Sequence, residues 1–132
     1  LYQGKNTYKY THIGEIVESD INVDETDIKL RIFQMPSSHA KGSLALLVNN
    51  KYCLLGDALY PAHKGDKTVY NAGILKQQID ILKKMAAPYV LLSHREPFVQ
   101  KKQAVISWLE KIYAMREKNE PWILMTGQNV PN

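Results

Sequence analysis

A chain of 132 residues, 45% apolar and 23% charged, has enough apolar surface for one ordinary core and lacks the polar bias of a disordered protein. No apolar run approaches the roughly 18 residues of a membrane helix, no basic leader precedes an apolar signal region, and a lone Cys53 cannot form an internal disulfide, which together predict a cytoplasmic protein. The net charge of +4 is uneven, with 11 basic and 6 acidic side chains in residues 62–132, yet the lysines there mix with Gln and Glu and show neither the Arg cluster nor the interleaved aromatics of a nucleic-acid surface.

Residues 1–12 are polar and aromatic without a helical period, and they read as a linker or edge segment. His12 has no partner at a metal-ligand spacing. Residues 13–17 are a short strand candidate. The acidic stretch 18–27 lacks the central Gly and closing Glu of an EF-hand loop, so it is expected to be a solvated connection. Residues 28–35 alternate Ile28, Leu30 and Ile32 against Lys29, Arg31 and Phe33, which predicts a strand with one wet face, ended by Pro36.

Two apolar runs, 44–48 and 52–55, flank Asn49-Asn50-Lys51 and predict a β-hairpin. His39 precedes the first strand and Asp57 follows the second, so antiparallel pairing sets an imidazole and a carboxylate on one rim. Taken alone, a loop histidine and a Gly-Asp turn are ordinarily just solvated. Cys53 sits mid-strand, where a thiol is a small buried hydrophobe and badly placed for nucleophilic attack. The turn-rich segment after Asp57 brings Tyr60 and His63 within reach of the rim as candidates for its substrate side.

Across residues 69–87, Ile74, Leu75, Ile79, Leu82 and Met85 recur at helical spacing, with Asn71 as a cap and Pro88 as a stop. Residues 89–92 form a continuous apolar run, the pattern of a buried strand, and end at Ser93-His94. Pro97 suits the first position of a second helix, whose stripe is Val105, Trp108, Leu109 and Ile112 with Trp108 in the core. Residues 121–127 suggest one last strand, and 128–132 a tail.

Three strand ends therefore carry ligand-type side chains, His39, Asp57 and His94. Neutral imidazoles and a carboxylate suit a zinc-like ion, and the second carboxylate oxygen can reach a neighbouring ion. His39-Ala40-Lys41-Gly42-Ser43 before a hairpin, Gly56-Asp57 closing it, and Ser93-His94 after a helix and a buried strand resemble the third, fourth and fifth metal motifs of the metallo-β-lactamase fold superfamily. The resemblance implies an α+β fold over residues 13–127, the C-terminal half of an αβ/βα sandwich with a mixed, mostly antiparallel sheet and two helices on one face.

The same resemblance implies a metal-dependent hydrolase holding two zinc ions, with iron or manganese as alternatives. His39 would hold the first ion, Asp57 would bridge, and His94 would hold the second, while Gly42 would suit the turn behind His39 and Ser43 would orient its ring. A metal-activated hydroxide would attack an ester, thioester, lactam or phosphodiester bond. The family's His-x-His-x-Asp-His motif is missing from this sequence, and neither His12 nor His63 belongs to a His-x-His pair. The chain, which opens on Leu1 rather than Met, is thus expected to be a fragment of a longer hydrolase, inactive alone, that pairs with its missing N-terminal half or self-associates through an exposed sheet face. A small-molecule substrate is favoured over nucleic acid, and no membrane partner is expected. Two alternatives stay open: a non-catalytic interaction domain with a vestigial metal site, and a nucleic-acid-processing member of the superfamily.

Overall fold

The computed structural model describes residues 20–126. His12 and the strand candidate at residues 13–17 lie outside them. The described elements are β1 (Ile21–Asp24), β2 (Lys29–Gln34), β3 (Leu44–Val48), β4 (Tyr52–Gly56), β5 (Ala62–Lys64), β6 (Lys67–Asn71), α1 (Ala72–Lys84), β7 (Tyr89–Leu92), β8 (Val99–Lys101), α2 (Lys102–Ala114) and β9 (Trp122–Met125). The fold is α+β. A six-stranded sheet runs β1-β2-β3-β4-β7-β8, and a three-stranded sheet runs β5-β6-β9.

The β3–β4 hairpin turns through Asn49, Asn50 and Lys51, with Val48 opposite Tyr52 and both asparagines in the left-handed region at φ of 52° and 51°, which asparagine tolerates. Asn49 also ties the turn to β2, because its Oδ1 accepts from the Lys29 backbone N–H at 2.7 Å. Every neighbouring pair in the large sheet is antiparallel except β4 with β7, which run parallel with Cys53 beside Val90. That parallel pair requires a crossover, and α1 lies within it.

α1 begins where Asn71 Oδ1 accepts from the Ile74 N–H at 2.9 Å, a cap that stabilises the helix by about 1 kcal/mol. Its last turn carries Lys83 and Lys84, the charge sign favoured there. Leu75, Ile79 and Leu82 of α1 and Val105, Ile106, Leu109 and Ile112 of α2 pack on Phe33, Ala45, Leu47, Cys53, Leu55, Val90 and Leu92 of the large sheet. Tyr70, Ile123 and Met125 of the small sheet join the same core.

Five expectations are corrected by this packing. The acidic connection contains β1, an edge strand whose Asn22 sits beside Arg31 of β2. In β2 the inward residue is Phe33, followed by Met35, because Phe33 pairs with the fully buried Ala45 on the helix-covered face. The turn-rich segment after Asp57 holds the β5–β6 hairpin, turned at Gly65 with φ of 63°. The second helix starts at Lys102 and not at Pro97, since residues 99–101 pair with β7 instead. Trp108 is only half-buried, with the Arg95 guanidinium 4.6 Å from its ring centre.

The other face of the large sheet is apolar and uncovered by the helices. The cross-strand pairs Leu30–Val48, Ile32–Leu46, Leu46–Leu54 and Leu54–Leu91 lie on it in one row after another. Tyr52 and Tyr89 stack there with ring centres 5.6 Å apart. Leu44, Leu54, Val99 and Val23 are 37–43% exposed, and Leu46 and Val48 half-buried. Two apolar faces on one sheet are the pattern of a sheet meant to be covered on both.

Candidate functional site

His39 sits in the β2–β3 loop, which Pro36 opens and the Met35 N–H to Ser43 carbonyl bond of 2.9 Å closes. The Ser37 hydroxyl organises its centre. Ser37 Oγ accepts from the backbone N–H of His39 at 3.0 Å and of Ala40 at 3.3 Å, and donates to the Ala58 carbonyl at 2.7 Å. Gly42, at φ of 76°, takes the left-handed conformation that returns the chain to β3.

The ring of His39 is oriented by a backbone group. Its Nδ1 lies 3.1 Å from the Pro61 carbonyl, an acceptor only, so the proton of the neutral ring belongs on Nδ1. Nε2 then presents a lone pair toward Asp57 Oδ2, 3.8 Å away. The expected role of Ser43 as orienting group is corrected accordingly: its hydroxyl donates to the Ala40 carbonyl at 3.0 Å, and Pro61 holds the ring.

Asp57 follows β4, and His94 follows β7. Because those strands are parallel, with Gly56 beside Leu92, both chains leave the sheet at the same rim. The Ser93 N–H donates to the Gly56 carbonyl at 3.0 Å, and the Tyr60 hydroxyl donates to the Ser93 carbonyl. Tyr60 is thus a buried tether between the two turns rather than an open loop residue. Burial chiefly raises its phenol pKa, Arg95 opposes and Asp57 adds to the shift, so the hydroxyl keeps its proton. His94 has φ of 60°, a left-handed conformation in which a side chain is strained and which recurs at functional positions.

His94 Nε2 lies 3.8 Å from Asp57 Oδ1. Each histidine therefore faces a different oxygen of one carboxylate. Both separations exceed a hydrogen bond, and Asp57 Oδ1 is buried with no hydrogen-bond partner among the described residues. A buried carboxylate oxygen without a donor is costly unless a cation meets it.

In kind, these donors fit zinc-type ions. With bonds of about 2.0–2.2 Å, two ligands of one tetrahedral ion stand about 3.4 Å apart, within a few tenths of an ångström of the spacing here. In number they do not complete a site. Among the described residues no three His, Cys, Asp or Glu side chains gather into a group able to hold an ion, since the arrangement is two His–Asp pairs that share Asp57.

The other candidates stay apart. His63 is exposed on β5, with Nδ1 3.2 Å from the Thr68 hydroxyl. Cys53 is fully buried beside Leu47, and burial pushes its thiol up to about 12 against a smaller opposing effect of Arg31, so it is no nucleophile.

The sequence pattern did not single out Ser37, the Pro61 carbonyl, the tethering role of Tyr60, or Gln78 beneath the loops. Only Gln78 carried a legible signal, a carboxamide inside the apolar stripe of α1. Compared with protein-family models, curated proteins and solved structures, the chain matches none of them.

Proposed function

We propose that this chain is the C-terminal half of a metallo-β-lactamase-type, metal-dependent hydrolase, in which His39, Asp57 and His94 hold one side of a two-ion centre. The observation that supports this is one imidazole facing each oxygen of Asp57 at 3.8 Å, one of those oxygens being buried and without a hydrogen-bond partner among the described residues. When bound, a pair of zinc-type ions would activate water and offset charge developing on the bond being cut. The chain's own part is to orient. Pro61 holds the proton on His39 Nδ1 and frees Nε2, Asp57 offers one oxygen to each side, and the Ser93 tether brings His94 up to the rim.

Two ligands per ion are too few for tight binding or turnover. The remaining ligands belong to a second half-sandwich, and the apolar sheet face bearing Leu46 and Leu54 is the surface on which it would dock. A small-molecule substrate is favoured over nucleic acid, because the two helices carry no arginine and two of their lysines are paired, Lys76 with Asp80 at 2.7 Å and Lys83 with Glu110 at 2.9 Å.

The test is hydrolysis of phosphodiester, thioester and lactam substrates by the chain alone and by the longer polypeptide that carries a His-x-His-x-Asp-His motif upstream. The chain alone is expected to be inactive and the longer polypeptide active, with activity lost on chelation. Chelator-sensitive hydrolysis by the chain alone would contradict the need for a second half.

A further inference from the structure

The geometry points to Gln78 as a positioning residue that fixes the separation of His39 from Asp57, an inference that rests on the metal-site reading above. Gln78 lies in the inward stripe of α1 with Leu75, Ile79 and Leu82, and it is fully buried. A carboxamide placed there is unfavourable unless its polar atoms are engaged; Oε1 has no partner among the described residues, so the bonds made by Nε2 are what hold it there. Its Nε2 donates to the Pro36 carbonyl at 2.6 Å and to the Ala58 carbonyl at 2.8 Å. Pro36 is three residues before His39, and Ala58 directly follows Asp57. A primary amide nitrogen carries two protons, and here each one holds a different loop of the site to the same helix.

Ser37 doubles the connection, because its hydroxyl donates to the same Ala58 carbonyl and accepts the His39 N–H. Neither side chain contacts the imidazole or the carboxylate in these bonds, so both act through backbone. His94 is held differently, by Ser93 on the Gly56 carbonyl and by Tyr60 on Ser93. The two histidines therefore have separate supports. Loosening one support need not loosen the other, which a general loss of stability would do.

Gln78→Leu keeps the approximate size and the apolar stripe while removing both donors. Imidazole 15N signals followed through a Zn2+ titration of the chain give separate responses for His39 and His94. Gln78→Leu is expected to weaken the His39 response about 10-fold relative to that of His94, the range found for groups that support a ligand. In the metal-free protein the same variant is expected to speed amide exchange at His39 and Ala40 more than at Leu47 and Val90.

Ile79→Val, on the same helix face, lowers stability without removing a hydrogen bond to either loop and should keep the two histidines in their wild-type ratio. Ser37→Ala is expected to shift the ratio in the same direction as Gln78→Leu, and it decides the matter if Gln78→Leu does not fold. An unchanged ratio, or equal weakening at both histidines, would overturn the role of Gln78. Absence of any Zn2+ response at either histidine in the wild-type chain would instead remove the metal-site reading, and the amide exchange would then decide whether Gln78 clamps the loops.

Discussion

Exchanging Asp57 for Asn is expected to abolish the Zn2+ response of both His39 and His94, whereas His39→Ala and His94→Ala each remove only their own side. The asymmetry follows from the carboxylate, which offers one charged oxygen to each imidazole at 3.8 Å. An amide keeps the shape but loses the charge and replaces one acceptor with a donor. The loss of affinity should exceed the roughly 10–100-fold typical of groups that merely support a ligand.

Folding should survive, because the neutral amide removes a charge whose buried Oδ1 holds no donor among the described residues, on a rim turn where the side chain is 41% exposed. Binding isotherms beside urea midpoints separate the two effects. A chain that unfolds on Asp57→Asn, or that keeps its metal response, would contradict the assignment.

The second large effect concerns the open sheet face. The isolated chain is expected to self-associate at micromolar concentration in sedimentation, and Leu46→Lys with Leu54→Glu is expected to make it monomeric. Leu46 and Leu54 are direct cross-strand partners at the middle of that face. Fully burying an exposed leucine is worth about 1.5–3 kcal/mol, and although each leucine and valine here is already more than half covered and adds only a fraction of that, the row together drives the face to find a cover. The opposite charges introduced would face each other across the strands, which favours the sheet itself by roughly 0.2–1 kcal/mol while making the face unfit for an apolar partner. The variant pair thus separates docking from folding. A wild-type chain that stays a monodisperse monomer would contradict the claim that this face is meant to be covered.

The order of the site along the chain was legible because each of its three side chains lies just beyond one end of an apolar run, and such runs betray strands. The β3–β4 hairpin, α1 with its Asn71 cap, and β7 all follow from local pattern and propensity. What was not legible depends on pairing at a distance. β5 and β8 are three residues each, too short for any period, and exist because β6 and β7 pair with them. The inward direction of Phe33 is set by its partner Ala45 on β3, which local alternation in residues 28–35 does not contain.

The same holds at the site. Pro61 orients His39 through a carbonyl, which any residue would supply, so no side-chain pattern announces it. Ser43 has the right residue type and proximity in sequence for that role, but its hydroxyl turns back to Ala40 within its own loop. Gln78 is the exception, since a buried polar residue in an apolar stripe invites the question of what it holds.

In the proposed two-ion centre one carboxylate, that of Asp57, serves two histidines. The most direct test of that arrangement is the 15N imidazole spectrum of the chain during addition of Zn2+ to about 1 mM, a range suited to a site with few ligands. His39 and His94 should both respond at Nε2, with His39 keeping its Nδ1 proton, while His63, exposed on β5, serves as internal reference and moves less. Responses at His39 and His94 no larger than that at His63 would contradict it.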